Sequence, residues 1–493
     1  MSDPDPQPAP KRSRVPDSYL ILFVIALLAF AATYVLTPGS FTLVETEQGA
    51  RIDPASYTAA EAPNPAPVFG DADQPGFLNF LFEGLVSGDR YSATVGLMAF
   101  ILIVGGAFGI ISRTGAMERL LQASVSKRDK PGDGLIVILF IAFSLGGAVF
   151  GMSEETIVLT LIVVPALIRA GYDSLTGLVC CYVATQIGFA TSWMNPFSVV
   201  IAQSIAGVPA LSGLELRAAM WTVFTALGAG GAWWYARRVR LQPDRSLAYS
   251  SDARWRDEIA AADEKPQPVS LGDVLVMSIL ALGVVWIAWG VTTQGYYLAE
   301  IAAQFFAIGL LAGIVGRVFR LNDVDGNELV DGFRQGAMDL LPAALIVAAA
   351  KGVLVLLGGD DPTEASLLNA ALNGAAQFTA ALPDWAAALG MYLSQSGINL
   401  LVVSGSGQAA LTMPLMAPLA DLSGVSRQTA VLAFQLGDGL TNIIVPASAA
   451  LMGCLAAARL DWSLWARFIW KPLLGFMALA SGFVLLAQAI GYA

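Results

Sequence analysis

The 493-residue chain contains no histidine. Imidazole is thereby removed as a proton carrier and as a metal ligand, so proton chemistry falls to carboxylates or lysine, and zinc or haem sites built on imidazole are excluded. Charge is also scarce: 13% of residues are charged against 56% hydrophobic, which is more apolar surface than a soluble core could hide. The three cysteines, Cys180, Cys181 and Cys454, all fall in apolar stretches and read as small hydrophobes, not as a disulfide frame. A net charge of −11 argues against nucleic acid as a partner. No G-x-x-x-x-G-K-[ST] run occurs, which argues against a built-in ATPase.

What the chain has in abundance is apolar runs. A helix needs about 20 apolar residues to cross roughly 30 Å of hydrocarbon, and several runs qualify. The expectation is an all-α polytopic membrane protein with the lipid bilayer as its solvent and the amino terminus in the cytoplasm. In order, we expect a disordered cytoplasmic tail (1–18), a first span (19–36) and an extracytoplasmic segment (37–91) with short β-like pieces around "FTLVETEQGARI". A first unit (92–236), a cytoplasmic loop (237–268), connecting spans (269–336) and a second unit (337–493) follow. On this path 22 of the 27 Lys and Arg fall on the cytoplasmic side, four outside (Arg51, Arg90, Arg217, Arg427) and one, Lys351, within a span. The positive-inside bias supports that order and places the carboxyl terminus outside, with the plasma (inner) membrane as the expected location.

Two stretches about 250 residues apart share an order of features. "GMSEETIVLTLIVVPALIRAGYDSLTGL…ATSWMNPFSVV" and "SGSGQAALTMPLMAPLADLSGVSRQTAV…GDGLTNIIVPASA" each run from a polar tip through an apolar helix with a proline (Pro165, Pro418). A glycine turn (Gly171, Gly424) and a Thr five residues on (Thr176, Thr429) come next, then a break ending in a proline (Pro196, Pro446). Each polar tip lies between two half-length apolar runs, so hairpins are expected at 134–170 and 388–421. The first would open to the cytoplasm and the second to the outside, so the units would be inverted copies. Re-entrant hairpins and broken helices leave backbone groups unpaired at membrane depth, which is tolerable only against protein or a polar cavity.

The candidate binding residues follow from this plan. Glu154 and Glu155 at the first tip, beside Ser153, are either ordinary acidic capping of a helix restarting at Thr156 or a functional pair lining a cavity. Thr191, Ser192 and Asn195 mark the first break, with Asn195-Pro196 as a helix restart. Asp438, Thr441 and Asn442 mark the second, with Gly437 and Gly439 expected to free the backbone there. "SGSGQ" offers Ser404, Ser406 and Gln408 in a nest of backbone amides. Lys351, placed in mid-span, is expected to pair with Asp438, a glutamate or a substrate carboxylate. With three acids (Glu154, Glu155, Asp438) near one lysine, the pocket favours a coupling cation, sodium near Glu154 and Asp438 or a proton, or a substrate with its own cationic group. No other cofactor is implied.

The motif at 404–446, with "GMSEET" and "TSWMNPF", resembles the anaerobic C4-dicarboxylate carrier (DcuC) family, in particular its YfcC-type branch, within the larger ion transporter superfamily. The resemblance implies the inverted-repeat ion transporter fold with two re-entrant hairpins and two broken helices, a scaffold and a transport domain, a homodimer, and alternating access. It also implies that Ser153, Glu154, Thr191, Ser192, Asn195, Ser404, Ser406, Gln408, Asp438, Thr441 and Asn442 bind substrate and ion. Better understood dicarboxylate members carry Ser-Asn-Thr at both tips, whereas Ser-Glu-Glu and Ser-Gly-Ser-Gly-Gln stand here. The substrate therefore stays open between a C4-dicarboxylate and an amino acid, with basic amino acid exchange the usual label of the branch. The expected function is secondary transport of a small carboxylate-bearing metabolite, ion-coupled or by antiport. The alternatives are a channel built from half-helices and an intramembrane hydrolase using Ser404 or Ser406 with Lys351.

Overall fold

The computed structural model describes residues 18–46, 49–70, 76–86, 95–124, 132–195, 198–264, 268–294, 296, 298–359 and 361–492. The expected tail up to residue 17 and the helix restart at Pro196 lie outside them. The described chain is mostly helical, as apolar runs without surrounding water require: in lipid, the helix satisfies every backbone group within one segment.

Helix α1 (Ser18–Thr33) leads into two small antiparallel pairs. Strand β1 (Gly39–Ser40) pairs with β4 (Thr58–Ala59), and β2 (Leu43–Thr46) with β3 (Gly49–Ile52) in the register Leu43 to Ile52. Phe41 and Ile52 bury this piece against Leu354, Leu368, Leu411 and Leu415. Helices α2 (Phe80–Val86), α3 (Val95–Arg113) and α4 (Ala116–Ser124) follow. Next comes a helical hairpin, α5 (Gly134–Phe150) and α6 (Thr156–Arg169), then α7 (Ser174–Ala190), whose residues 179–183 form a π turn. Past a break come α8 (Val199–Ala206), the long α9 (Leu214–Leu241) and α10 (Ala253–Glu264). Helices α11 (Leu271–Gln294), α12 (Leu298–Val318) and α13 (Gly326–Leu356) lead to α14 (Leu367–Ala380). A second hairpin, α15 (Asp384–Ile398) and α16 (Gly405–Leu422), precedes α17 (Arg427–Thr441), a second break, α18 (Ala449–Ala458) and α19 (Trp462–Ala489).

Among the described residues, α3, α12, α13 and α19 are long and apolar enough to cross a membrane. Large apolar side chains such as Leu282, Trp286, Leu311, Ile314, Leu474 and Leu486 are exposed on outer faces, where lipid takes the place of a core. Helix α13 starts at Gly326, well before the expected span at 337. A capping box explains the early start: the Asp325 carboxylate accepts from Glu328 N at 2.9 Å and the Glu328 side chain returns the bond.

Two packing groups emerge. Helices α1, α2, α3 and α12 pack on or beside α13, with α11 against α12 and α4 against α11. There a buried ion pair, Arg119 to Asp273 at 2.7 Å, ties α4 to α11. The second group joins α5 to α7, α6 to α18, α15 to α17, α16 to α8 and α17 to both α7 and α8, while α13 also touches α18. Within the second group, elements recur 253 positions apart. Gly171 and Gly424 both take left-handed backbone, φ 95° and 68°, which favours glycine. Two residues on, Asp173 caps Thr176 N at 2.8 Å and Ser426 caps Thr429 N at 3.1 Å, starting α7 and α17.

Candidate functional site

The first hairpin turns at Gly151, whose left-handed φ of 69° closes α5. Ser153, Glu154 and Glu155 form the turn, half-buried, and α6 begins at Thr156. Glu155 does not cap α6; its Oε2 accepts from Ser153 N at 3.1 Å, bracing the turn from within. Ser153 Oγ accepts from Gln186 Nε2 of α7 at 3.4 Å. The Glu154 carboxyl lies within the fields of Glu155 and of Asp438 from the second unit.

The second tip differs from the expected amide nest. Ser404 is the N-cap of α16, its Oγ accepting from Gly407 N at 3.2 Å, so "GSGQ" is the first helical turn. The cap wins over the nest because Ser404 in extended backbone offers its oxygen to the amide three residues on. Ser406 is half-buried in that turn. Gln408 is fully buried, and its amide nitrogen is spent on the other arm, on Gln395 Oε1 at 2.7 Å and Gln395 O at 2.9 Å. It fastens the hairpin arms together.

At the first break α7 ends in Thr191, whose Oγ1 bonds back to Ile187 O at 2.7 Å. Ser192 Oγ donates to Ala148 O of α5 at 2.5 Å and accepts from Met194 N and Asn195 N; Asn195 is buried beside them. At the second break, Thr441 Oγ1 donates to Gly437 O at 2.5 Å, and Asn442 Nδ2 to Asp438 Oδ1 at 3.1 Å. Gly437 and Gly439 do not unwind the backbone; both are inside α17, and the break starts at Asn442. They are glycine because helices cross there. A Cβ on Gly439 would stand 2.5 Å from Ala190 Cα, and one on Gly437 2.7 Å from Gln395 Cβ.

The unwound carbonyls past α17 are met by protein. Two indoles of α19 cap them, Trp465 Nε1 on Ile443 O and Trp462 Nε1 on Ile444 O, each at 2.8 Å. This answers the demand that exposed backbone at membrane depth find partners.

The two units meet around Gly405. A Cβ there would lie 3.1 Å from Asp438 Oδ2, 3.1 Å from Phe189 Cζ and 3.5 Å from Ser198 Cβ. The start of α16, the second half of α17 and both flanks of the first break thus converge. Asn399, at the end of α15, sets its Nδ2 against Asp438 O (3.0 Å), Thr441 Oγ1 (2.7 Å) and Asn442 Oδ1 (2.8 Å). Five buried oxygens in this region have no protein hydrogen-bond partner: Asp438 Oδ2, Asn399 Oδ1, Gln186 Oε1, Gln408 Oε1 and Ser198 Oγ. Among the described residues no three His, Cys, Asp or Glu gather as metal ligands. A hard cation here would lean on Asp438 with neutral oxygens.

Two placements correct the sequence reading. Lys351 is not in the middle of its helix: α13 ends at Leu356, so it lies in the next-to-last turn, half-buried. Asp438 Oδ1 accepts from Asn442 Nδ2. Arg217, counted as an outside charge, is fully buried in α9, with Nη1 donating to Gln435 Oε1 and Nη2 to Gln428 Oε1 at 3.4 Å. Asn399, Gln186, Tyr182, Gln435 and Arg217 were not singled out from sequence. The recurrence carried a signal for two of them, since Tyr182 and Gln435 each stand six residues after their matched threonine.

The family model for the C4-dicarboxylate anaerobic carrier matches residues 15–489. The chain is 44% identical to an Escherichia coli (strain K12) protein named "Putative basic amino acid antiporter YfcC", over 98% of each chain. It is 25% identical to an uncharacterized protein of Haemophilus influenzae, again over 98% of each. Among solved structures, the Alcanivorax borkumensis YdaH transporter aligns with a TM-score of 0.44 at 18% identity, covering 97% of this chain and 99% of that one. With a family model along nearly its whole length and a relative at this identity, the chain belongs to the anaerobic C4-dicarboxylate carrier family, in its YfcC-type branch, a family of membrane transporters and not of enzymes.

Proposed function

We propose that this protein is a secondary carrier of a small carboxylate-bearing metabolite that also bears a cationic group, an amino acid with a basic side chain being the best fit. The observation that carries this reading is the group of donor-free buried oxygens, Asp438 Oδ2, Asn399 Oδ1, Gln186 Oε1 and Gln408 Oε1 among them, within a region that also holds Glu154 and Glu155. Buried acceptors without donors are costly. An ammonium or guanidinium group supplies donors and positive charge together, whereas a bare dianion would meet carboxylates. The relative's printed name, a basic amino acid antiporter, agrees in direction.

In this reading the two units are inverted copies whose hairpins, α5–α6 and α15–α16, enter from opposite sides and stop short of crossing. The 253-residue recurrence of turn, cap and break supports it. Helices α1–α4 and α11–α13 form a scaffold, in a homodimer of the inner membrane, and the hairpin group moves against it between two access states. The ion that drives transport, or the second substrate in exchange, shares Asp438 and Glu154.

A second reading, carriage of a C4-dicarboxylate with its coupling cation, is favoured by the description of the matched family. Counterflow in proteoliposomes separates the two. Vesicles loaded with unlabelled L-arginine should accumulate labelled L-arginine, and Asp438→Asn should abolish it. Counterflow of succinate with none of L-arginine would favour the second reading, and ohmic, non-saturating flux would sink both in favour of a channel.

A further inference from the structure

Each break leaves helix-end carbonyls that its own helix cannot satisfy. At both breaks one of the missing donors comes from the other unit. Tyr182, in the π turn of α7, donates its hydroxyl to Asn442 O at 2.7 Å and lies 3.2 Å from Ser448 Oγ, across the second break. Gln435, in α17, places Nε2 2.7 Å from Ser192 O and 3.4 Å from Phe189 O, at the first break. Both donors are fully buried. The donors are matched positions, 253 residues apart, and so are two of their targets, Phe189 and Asn442.

A glutamine can present either end of its amide, and Arg217 decides which. Its guanidinium has only donors, so the bond from Nη1 to Gln435 Oε1 forces Nε2 toward the carbonyls of the first break. Arg217 Nη1 and Nη2 donate to the amide oxygens of Gln435 and Gln428, and the Tyr492 side chain lies beside the guanidinium; none of these partners is a carboxylate. A buried permanent charge is thus spent on orienting neutral groups. Tyr182 acts directly on the residue that shapes the site, because Asn442 also bonds Asp438 Oδ1 and receives Asn399 Nδ2.

We propose that Tyr182 and Gln435 are reciprocal positioning residues: each fixes the break of the opposite unit, with Arg217 holding Gln435 in the donating orientation. The two breaks are then locked into one body, so the binding geometry on either side depends on both units. This rests on the carrier reading for its functional consequence, though not for its structural one.

The test is backbone hydrogen exchange of the full-length protein in detergent, followed by mass spectrometry, on Tyr182→Phe and Gln435→Met. Loss of one buried hydrogen bond should speed exchange roughly fivefold or more at the affected break. Tyr182→Phe should do so at 443–448 and leave 191–195 unchanged; Gln435→Met should do the reverse. Loosening of a variant's own break, equal loosening of both, or no change overturns the proposal. Gln435→Glu guards against a folding defect, because its carboxylate pairs with Arg217 and holds thermal stability while having no hydrogen for Ser192 O. Faster exchange at 191–195 in that stable variant is expected, and wild-type exchange there refutes the role. In counterflow with L-arginine or succinate, all three variants should raise KM more than they lower kcat. If the wild type moves neither probe, the carrier reading fails while the crossed exchange pattern still decides this one.

Discussion

Gly439→Ala isolates the contact on which the convergence of the two units depends. Gly439 is inside α17, where exchanging glycine for alanine should gain about 0.5–1 kcal/mol of helix stability. Its new methyl, however, would stand 2.5 Å from Ala190 Cα, 2.6 Å from Ala190 Cβ and 2.8 Å from Ala190 N. These are backbone atoms or the stub next to them and have no rotamer to change. Forced overpacking of this kind costs about 1–3 kcal/mol; with three atoms inside 3 Å the cost falls in the upper part of that range and outweighs the gain, leaving a net destabilisation of up to about 2.5 kcal/mol. The control is Gly475→Ala in α19, also inside a helix, with nothing within 4 Å of the added atom; there only the gain applies. In parallel thermal unfolding scans in detergent, Gly439→Ala should lower the apparent Tm and Gly475→Ala should raise it. Because Ala190 directly precedes Thr191 and Ser192, the displaced helix should also weaken transport. A Gly439→Ala protein as stable and active as wild type, beside a stabilised Gly475→Ala, would show that α7 and α17 do not touch at this point.

The acidic residues give a second expectation: Asp438→Asn keeps an acceptor for Asn442 and Glu154→Gln keeps the shape of the tip, so each should hold wild-type Tm while cutting counterflow at least about tenfold, which is roughly 1.4 kcal/mol of lost ligand binding. Unchanged counterflow in both would remove them from the site. Trp462→Phe and Trp465→Phe each strip an indole donor from a carbonyl of the second break and should cost about 1–3 kcal/mol for the unmet buried acceptor; equal thermal stability of wild type and both variants would show that the break is satisfied otherwise. In the loop after α9, burial pushes the Asp252 carboxyl up while Ser174 N donates to its Oδ2 at 3.0 Å. A carboxyl raised above its unfolded value binds a proton more tightly when folded, so its contribution is fully present below the ordinary carboxylate range and is lost as pH rises through the raised value. Asp252→Asn should therefore flatten the fall in Tm as pH rises above the ordinary carboxylate range, and an unaltered slope would place that pH dependence elsewhere.

The helical class and the two tip-and-break units were legible because their causes are local. Apolar run length names a helix in lipid, Gly171 and Gly424 name left-handed turns, and Asp173 and Ser426 name the caps that follow. Asp438, Asn442 and Ser192 stand out as candidates in the sequence because each is a polar residue in an apolar run. What stayed hidden is directional. "SGSGQ" is equally a nest or a helix start until the Ser404 oxygen is seen to accept from Gly407. That Gln408 also fastens the hairpin is hidden until its amide nitrogen is seen on Gln395, with its Oε1 left without a protein donor. Gly437 and Gly439 suggest unwinding when read along the chain, and only the opposing Ala190 and Gln395 show that they serve close approach instead.

Arg217 shows the same limit in electrostatic form. Counting charges by side of the membrane places it outside, because its flanks give no hint of a partner. Its partners Gln435, Gln428 and Tyr492 lie more than 200 residues away and none is a carboxylate, so no pairing of acid with base could have announced it. A guanidinium can be buried against amides when their oxygens face it, and that orientation turns the Gln435 nitrogen toward the open carbonyls of Phe189 and Ser192 and the Gln428 nitrogen toward Ser212 Oγ. The buried charge and the satisfied break are therefore one arrangement. Removing the charge alone, as in Arg217→Leu, frees the Gln435 amide to rotate and should loosen 191–195 in hydrogen exchange although Gln435 itself is untouched; protection of that segment at the wild-type level would break the link.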